Sequence, residues 1–222
     1  MKTKLILLLS IFCISINSNA QGRAVPFTNG VFNNNFENFA MIKVKSRNNG
    51  EHSVKSQGTY YFSKEWNKCK VQTIDNKTFN FKECNYNVYD KRMEIFIDNE
   101  VILLKKNSIK SITFQQKIFK PTDIDLPIDN KYYQLLFSNQ KLKLVKFYYL
   151  KKNSVASKQS LGLYHQTVSA KSSRYLIQNG KLIKLPSSKS KILKLLGKED
   201  QKRKFRKYNV KKDEDLIEIL KS

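Results

Sequence analysis

The chain has 222 residues, and its 42 Lys and Arg against 18 Asp and Glu give a formal charge of +24. Three cysteines, two histidines and seven glycines are scattered rather than clustered. That inventory argues against a zinc site with C-x-x-C or H-x-x-x-H spacing, and against a glycine-rich phosphate loop. A G-x-S-x-G elbow and any cysteine–histidine family signature are also missing, which leaves nucleophilic catalysis without a motif.

Residues 1–20, MKTKLILLLSIFCISINSNA, read as a signal peptide. Lys2 and Lys4 precede an apolar run from Leu5 to Ile16, and Ser18 and Ala20 are small residues at the spacing a signal peptidase reads. The run is shorter than the roughly 20 residues that a transmembrane helix needs. The competing reading, a buried N-terminal helix, leaves the charged start and the small-residue exit without a role. Cys13 follows Phe12 rather than a small residue, so it does not sit in a lipobox. The expectation is an exported chain in the periplasm, at the outer membrane or outside the cell, with no transmembrane helix once the leader is removed.

Residues 21–55 form a polar N-terminal segment in which Phe27, Phe32, Phe36 and Phe39 offer anchors onto a sheet. Residues 56–120 predict an antiparallel β region. TYYF, CKVQTI, TFNFKEC, RMEIFI, EVILLK and SITFQ are rich in β-branched and aromatic residues and are separated by turn signals. In RMEIFI the alternation sets Met93, Ile95 and Ile97 on one face, with Arg92 and Glu94 on the other. Tyr60, Tyr61, Phe62 and Trp66 suggest an aromatic platform for sugars or peptides, although aromatics at this density more often serve as core and cross-strand pairs.

Cys69 and Cys84 lie in KCKVQTIDNKTFNFKEC. A turn at Asn76–Lys77 sets the two cysteines opposite each other, which suits a disulfide but places Val71 beside Lys82. A turn at Asp75–Lys77 unites Val71 and Thr73 with Phe79 and Phe81 but sends Cys84 to the other face. A one-residue slip flips every side chain, so both patterns hold together only across a bulge. A disulfide and two buried thiols both stay open, and neither makes the stretch a catalytic or metal site.

Residues 121–130 form a connector, with Pro121 and Pro127 breaking strand pairing and Asp123, Asp125 and Asp129 interrupting a basic chain. Residues 131–186 are a second β region. YYQLLF and KLKLVKFYYL flank the hairpin loop SNQ, KKNSVASKQSLG reads as an exposed loop, and Asn179–Gly180 marks a type I′ hairpin turn. Residues 187–222 are helical. The first helix has Ser187 or Ser188 as N-cap, Gly197 as C′ residue and a stripe of Ile192, Leu193, Leu195 and Leu196. EDQKRKFRKYN predicts a short basic helix with Phe205 and Tyr208 on one face. DEDLIEILKS predicts a last helix, capped by Asp213 and burying Leu216, Ile217 and Leu220.

GTYYFSKEW, NYNVYDKRMEI, YLIQNGKLIKLPSSKSKILKLLGKE and KKDEDLIEILK together resemble a family of uncharacterised exported proteins of the Bacteroidota. The resemblance covers most of the chain after the leader. It implies an exported compartment, a β-rich middle and a short helical C-terminus. It carries no activity, so no residue inherits a role from it.

The fold class expected is α+β, mostly antiparallel sheet with two to three short C-terminal helices. The expected function is that of a noncatalytic, envelope-associated binding or scaffolding protein with no cofactor and no metal. The alternative is electrostatic binding of lipopolysaccharide, acidic glycan or nucleic acid through Lys202, Arg203, Lys204, Arg206 and Lys207. The bland counterpart is that these charges, like lysines elsewhere in an Asn- and Ile-rich chain, only solvate the surface. A glycan-active enzyme is the third reading, because a pair of catalytic carboxylates is defined by distance in space and leaves no sequence spacing.

Overall fold

The computed structural model describes residues 41–43, 56–98, 100–122, 132–156 and 164–222. The leader, His52, the four anchoring phenylalanines and the connector's three aspartates lie outside them. The described chain is mostly antiparallel sheet with two short helices near the C-terminus. The strands are β1 (Met41–Lys43), β2 (Ser56–Gly58), β3 (Asn67–Thr73), β4 (Thr78–Asn87), β5 (Arg92–Ile97) and β6 (Glu100–Leu104). They continue with β7 (Ile109–Phe114), β8 (Lys117–Pro121), β9 (Tyr132–Ser138), β10 (Leu142–Ala156), β11 (Tyr164–Gln178) and β12 (Lys181–Lys184). The helices are α1 (Lys189–Leu195) and α2 (Asp213–Lys221).

One sheet runs in the order β1-β6-β5-β4-β3-β7-β8-β9-β10-β11-β12, with β2 added parallel to β11. β8 pairs with β9, with Pro121 opposite Tyr132, so both β regions belong to this sheet. The step from Leu104 to Ile109 spans at most about 17 Å of extended chain. Crossing from β6 to β7 over three flat strands would need about 19 Å. The β3–β6 meander therefore curls, and its concave face closes on one core. Ile102 and Leu104 of β6 join Ile109 and Ile112 of β7, with Phe114, Phe119, Tyr86 and Tyr148.

Turn chemistry explains where the strands reverse. Asn179 and Gly180 have φ of 49° and 72° and close β11–β12 as the type I′ signal requires. Gln115 and Gln116, at 47° and 60°, close β7–β8 in the same left-handed region. Gln carries no turn signal, and β8 is not visible as a separate strand in the sequence. Residues 151–156, expected as loop, extend β10 instead, because β10 and β11 pair without interruption from Leu142↔Gln178 to Ala156↔Tyr164. TYYF forms no regular strand. Tyr61 makes one bridge to Asn87, flanked by Phe62 N donating to the Tyr86 carbonyl (2.8 Å) and Val88 N donating to the Tyr60 carbonyl (2.9 Å). This segment continues the β3 edge along β4, interrupted by a loop at Ser63–Trp66.

The β3–β4 hairpin reconciles the two face patterns, but its turn is neither Asn76–Lys77 nor Asp75–Lys77. Its loop is Ile74–Asn76, closed by Thr73 N donating to the Lys77 carbonyl (3.0 Å), with Asn76 at φ 62°. Val71 lies opposite Phe79 and Cys69 opposite Phe81, but the register slips before Asn67, which lies opposite Cys84. Lys82 and Glu83 are both exposed, which marks the extra residue in β4. The bulge returns Cys84 to the face of Cys69. The two sulfurs are bonded, with Cα atoms 5.9 Å apart.

The helices cover one face of the later strands. Leu144 and Leu176 pair across β10 and β11 and pack on Ile192, Leu193, Phe205, Val210, Leu216, Ile219 and Leu220. Tyr133, Val145, Phe147 and Ile177 form a smaller cluster on the opposite face. Ser188 caps α1, its hydroxyl accepting from Lys191 N. Gly197 (φ 64°) ends it, with Gly197 N donating to the Lys194 carbonyl and Lys198 N to the Leu193 carbonyl. Of the expected stripe, Ile192 and Leu193 are buried, Leu196 is half-buried and Leu195 is exposed. Ile219, not Ile217, completes the buried face of α2.

The expected middle helix is absent. Glu199–Gln201 makes one 3-10 turn, and residues 202–207 continue as turns. A regular helix there would stack Lys202 on Arg206, Arg203 on Lys207 and Lys204 on Lys207, and like charges at these spacings destabilise it. Asp213 is the first helical residue of α2 rather than its cap. Its carboxylate is drawn inward by Lys146 and by Arg174, whose Nη1 is 3.7 Å away. Lys146 and Arg174 lie directly opposite each other on β10 and β11, a repulsive pair without an anion between them. Asp213 supplies that anion at a helix N-terminus, where the helix dipole also favours it.

Candidate functional site

The basic loop between the helices is the most concentrated charge in the described chain. Lys202, Arg203, Lys204, Arg206 and Lys207 are all exposed, while Phe205 and Val210 are buried beneath them. Phe205 anchors the loop in the core shared by α1 and α2, and Tyr208 packs beside it with ring centroids 6.2 Å apart. Lys189 Nζ donates to the carbonyls of Phe205 (3.2 Å) and Arg206 (3.0 Å), which fixes the backbone between the cations. None of the five is in an ion pair with another described residue. Two instead lie over aromatic rings, Lys204 at 5.4 Å from the centroid of Phe205 and Lys207 at 5.2 Å from that of Tyr208. Lys198 lies at the base of the loop, where its Nζ donates to the Ile219 carbonyl (2.7 Å) and to Ser222 Oγ (3.2 Å). Burial, and then the nearby charge of Lys204, lower its ammonium from the usual lysine value. The sequence singled out the five cations together. The structure keeps them together on an anchored turn rather than on a helix.

Glu94 has the buried carboxylate that a catalytic reading would need. It is 1% exposed although it lies on the outer face of β5, because the segment before β3 covers it. Tyr61 OH donates to Oε2 (2.9 Å), while Asn87 Nδ2 (3.0 Å) and Arg92 Nε (2.7 Å) donate to Oε1. Arg92 also pairs with Asp90 at 3.1 Å. Both oxygens of Glu94 are thus engaged, and its nearest acidic neighbour shares the same guanidinium. This arrangement holds charge in place. A general acid would instead need a carboxyl free to give up its proton. His165 pairs with Val155 in the β10–β11 ladder, and no group of three or more metal-ligating side chains occurs among the described residues.

A row of polar side chains separates the two cores on the concave face. Gln134, Lys146 and Arg174 are neighbours across β9, β10 and β11, and Tyr148 OH donates to Gln134 Oε1. The hydroxyls of Tyr86, Tyr132 and Thr122 are buried without a hydrogen-bond partner among the described residues. Burial raises the phenols of Tyr61, Tyr86, Tyr132 and Tyr148 well above the ordinary tyrosine value of 10.0. Glu94 adds to the effect at Tyr61, Tyr132 and Tyr148 at Tyr86, and Asp213 at Tyr148. A raised folded value means that the contribution to stability is complete below the ordinary tyrosine pKa and is lost as pH rises through the folded value. In an alkaline absorbance titration these four phenols are expected to ionise only together with loss of the far-ultraviolet dichroism. Complete tyrosine ionisation with the sheet signal intact would contradict this.

No family model matches the chain, and comparison with curated proteins and with solved structures finds no match.

Proposed function

We propose that this is an exported, noncatalytic binding protein that associates with an anionic component of the cell envelope through the loop carrying Lys202, Arg203, Lys204, Arg206 and Lys207. The observation that carries the reading is the exposure of five cations on an anchored turn with no carboxylate partner among the described residues. Ordinary solvating lysines are mobile and dispersed, whereas these sit on backbone fixed by Phe205 and Lys189. A fixed cluster loses less freedom when it meets an array of phosphates, sulfates or carboxylates. The export half of the reading rests on the leader, and the absence of catalysis on the engaged state of Glu94. The test is cell fractionation through a salt series, following the processed chain. The expected result is envelope association released by moderate salt, since exposed ion pairs are screened over about 8–10 Å at these ionic strengths. A chain that stays soluble in the lowest salt would overturn the reading.

A further inference from the structure

β11 has one complete edge and one interrupted edge. β10 pairs with it without a break from Tyr164 to Gln178. On its other side β2 pairs with residues 166–168 and β12 with residues 175–178, so no described strand lies against residues 169–173. Both flanking strands run into this interval and leave the sheet there. β2 ends at Gly58, before the chain crosses to β4 at residues 60–62. β12 ends at Lys184, with Leu185 N still donating to the Arg174 carbonyl (2.9 Å). The notch between them faces about 17 Å of extended strand.

The phase of the ladder decides which backbone groups point into the notch. Successive residues of an antiparallel strand direct their N–H and C=O alternately to its two sides. The two-residue turn at Asn179–Gly180 makes Gln178 and Lys181 a hydrogen-bonded pair, and the bond from Leu185 to Arg174 keeps that phase. Even-numbered residues of β11 therefore address the interrupted edge, and odd-numbered ones address β10. Inside the notch the even residues are Ala170 and Ser172, and no described backbone group bonds to either from this side. Lys171 and Ser172 are exposed, and Ser169, Ala170 and Ser173 are half-buried, so solvent reaches the edge. Three serines and an alanine leave its approach without a bulky side chain.

We propose that this notch is a docking edge for a short extended segment of an acidic partner protein, which adds to β11 as a strand between β2 and β12. Ala170 and Ser172 supply two N–H donors and two C=O acceptors, the main-chain pattern by which a sheet edge captures a peptide. Charge selects the partner. Lys184 lies opposite Tyr175, so by alternation it shares a face with Lys171, and both are exposed beside the notch with no ion pair to a described residue. Alternate side chains of an added strand fall next to these lysines, where Asp or Glu is attracted and Lys or Arg repelled. A second copy of this chain carries +24 and is the least suited occupant. On the opposite face Ala170 and Leu150 pack on the main core, which favours apolar residues between the acids. The inference is independent of the basic loop, because the loop meets charge and the edge meets main chain.

The probe is a capped seven-residue peptide alternating Glu and Val, and the measurement is amide hydrogen exchange of the folded protein by NMR. In the free protein Ala170 and Ser172 are expected to exchange faster than Lys171 and Ser173, whose amides face β10. With the peptide at about ten times its Kd, exchange at Ala170 and Ser172 should slow about tenfold. Ser172→Pro should keep the fold, since the lost N–H points away from β10, and should weaken the peptide about tenfold. Replacing Lys202, Arg203, Lys204, Arg206 and Lys207 by Gln should leave the protection at Ala170 and Ser172 in place, so the edge and the loop fail separately. The inference is overturned if Ala170 and Ser172 are as protected as Lys171 and Ser173 in the free protein. It is equally overturned if the peptide protects neither residue, or if a Lys–Val peptide protects them as well as the Glu–Val peptide does.

Discussion

Reducing the Cys69–Cys84 bond is expected to lower the melting temperature by about 6–12 °C. The bridge joins residues 15 apart in sequence, and closing a loop of that size stabilises a protein by about 3 kcal/mol in the chain-entropy account. In a chain of this length each kcal/mol moves the midpoint by about 2–4 °C. Scanning calorimetry of oxidised protein against fully reduced and alkylated protein measures it. Both cysteines are buried, so alkylation adds bulk of its own, and the Cys69→Ala/Cys84→Ala variant is the cleaner arm. If the double variant melts with the oxidised protein, the bridge contributes nothing and the pair acts only as buried apolar side chains. Mass analysis of protein purified without reductant supplies the prior check that the bond forms. The export proposed above would bring the chain into the oxidising conditions that such a bond requires.

The same hairpin shows which parts of the fold are readable in the sequence. Alternation placed Val71, Phe79 and Phe81 on one face because that pattern is local and has period two. It could not choose between the cysteine pairing and the apolar register, because the deciding bulge depends on how β4 meets β3 and β5 together. The signal was present in the adjacent exposed pair Lys82 and Glu83, two consecutive outward residues inside an otherwise alternating strand. Glu94 is a second instance. Alternation assigns it to the outer face correctly, but its burial comes from Tyr61 and the loop that follows, a contact across 33 residues. Asp213 is a third. Its position suits an N-cap, yet the repulsion between Lys146 and Arg174 recruits it, and that pair exists only once β10 and β11 are in register.

The candidate sites divide in the same way. The basic loop is legible because its residues are consecutive, and only its conformation was misassigned, since like charges at helical spacing count against the helix that the composition suggested. The solvent-open cleft lined by Trp66, Asn67, Lys68, Lys82 and Gln115 is assembled from residues 66–68, 82 and 115, and no window of sequence contains them. Of the aromatic platform suggested by the sequence, Trp66 lines the cleft. Tyr61 braces it, Phe62 turns into the core against Phe119 and Tyr148, and Tyr60 packs on Tyr89.

Replacing Lys202, Arg203, Lys204, Arg206 and Lys207 by Gln is expected to flatten the salt dependence of polyanion binding and to remove most of its low-salt affinity. With duplex DNA as a probe of known charge spacing, each phosphate contact contributes a log–log slope of about −0.9, so five contacts contribute about −4.5. Raising salt from about 50 to 200 mM should then weaken the native protein about 500-fold through this loop alone. Fluorescence anisotropy of a labelled duplex measures both slopes. The five side chains are exposed and Phe205 is untouched, so the helices should stay packed. The decisive control removes an equal charge elsewhere, at the exposed Lys64, Lys70, Lys151, Lys152 and Lys171. Net charge falls by five in both variants, so a general attraction would weaken equally. If only the loop variant loses slope, fixed geometry matters and the cluster is a binding surface. If the two variants lose equally, the charge acts as a diffuse field, and the cations of the loop are ordinary surface residues.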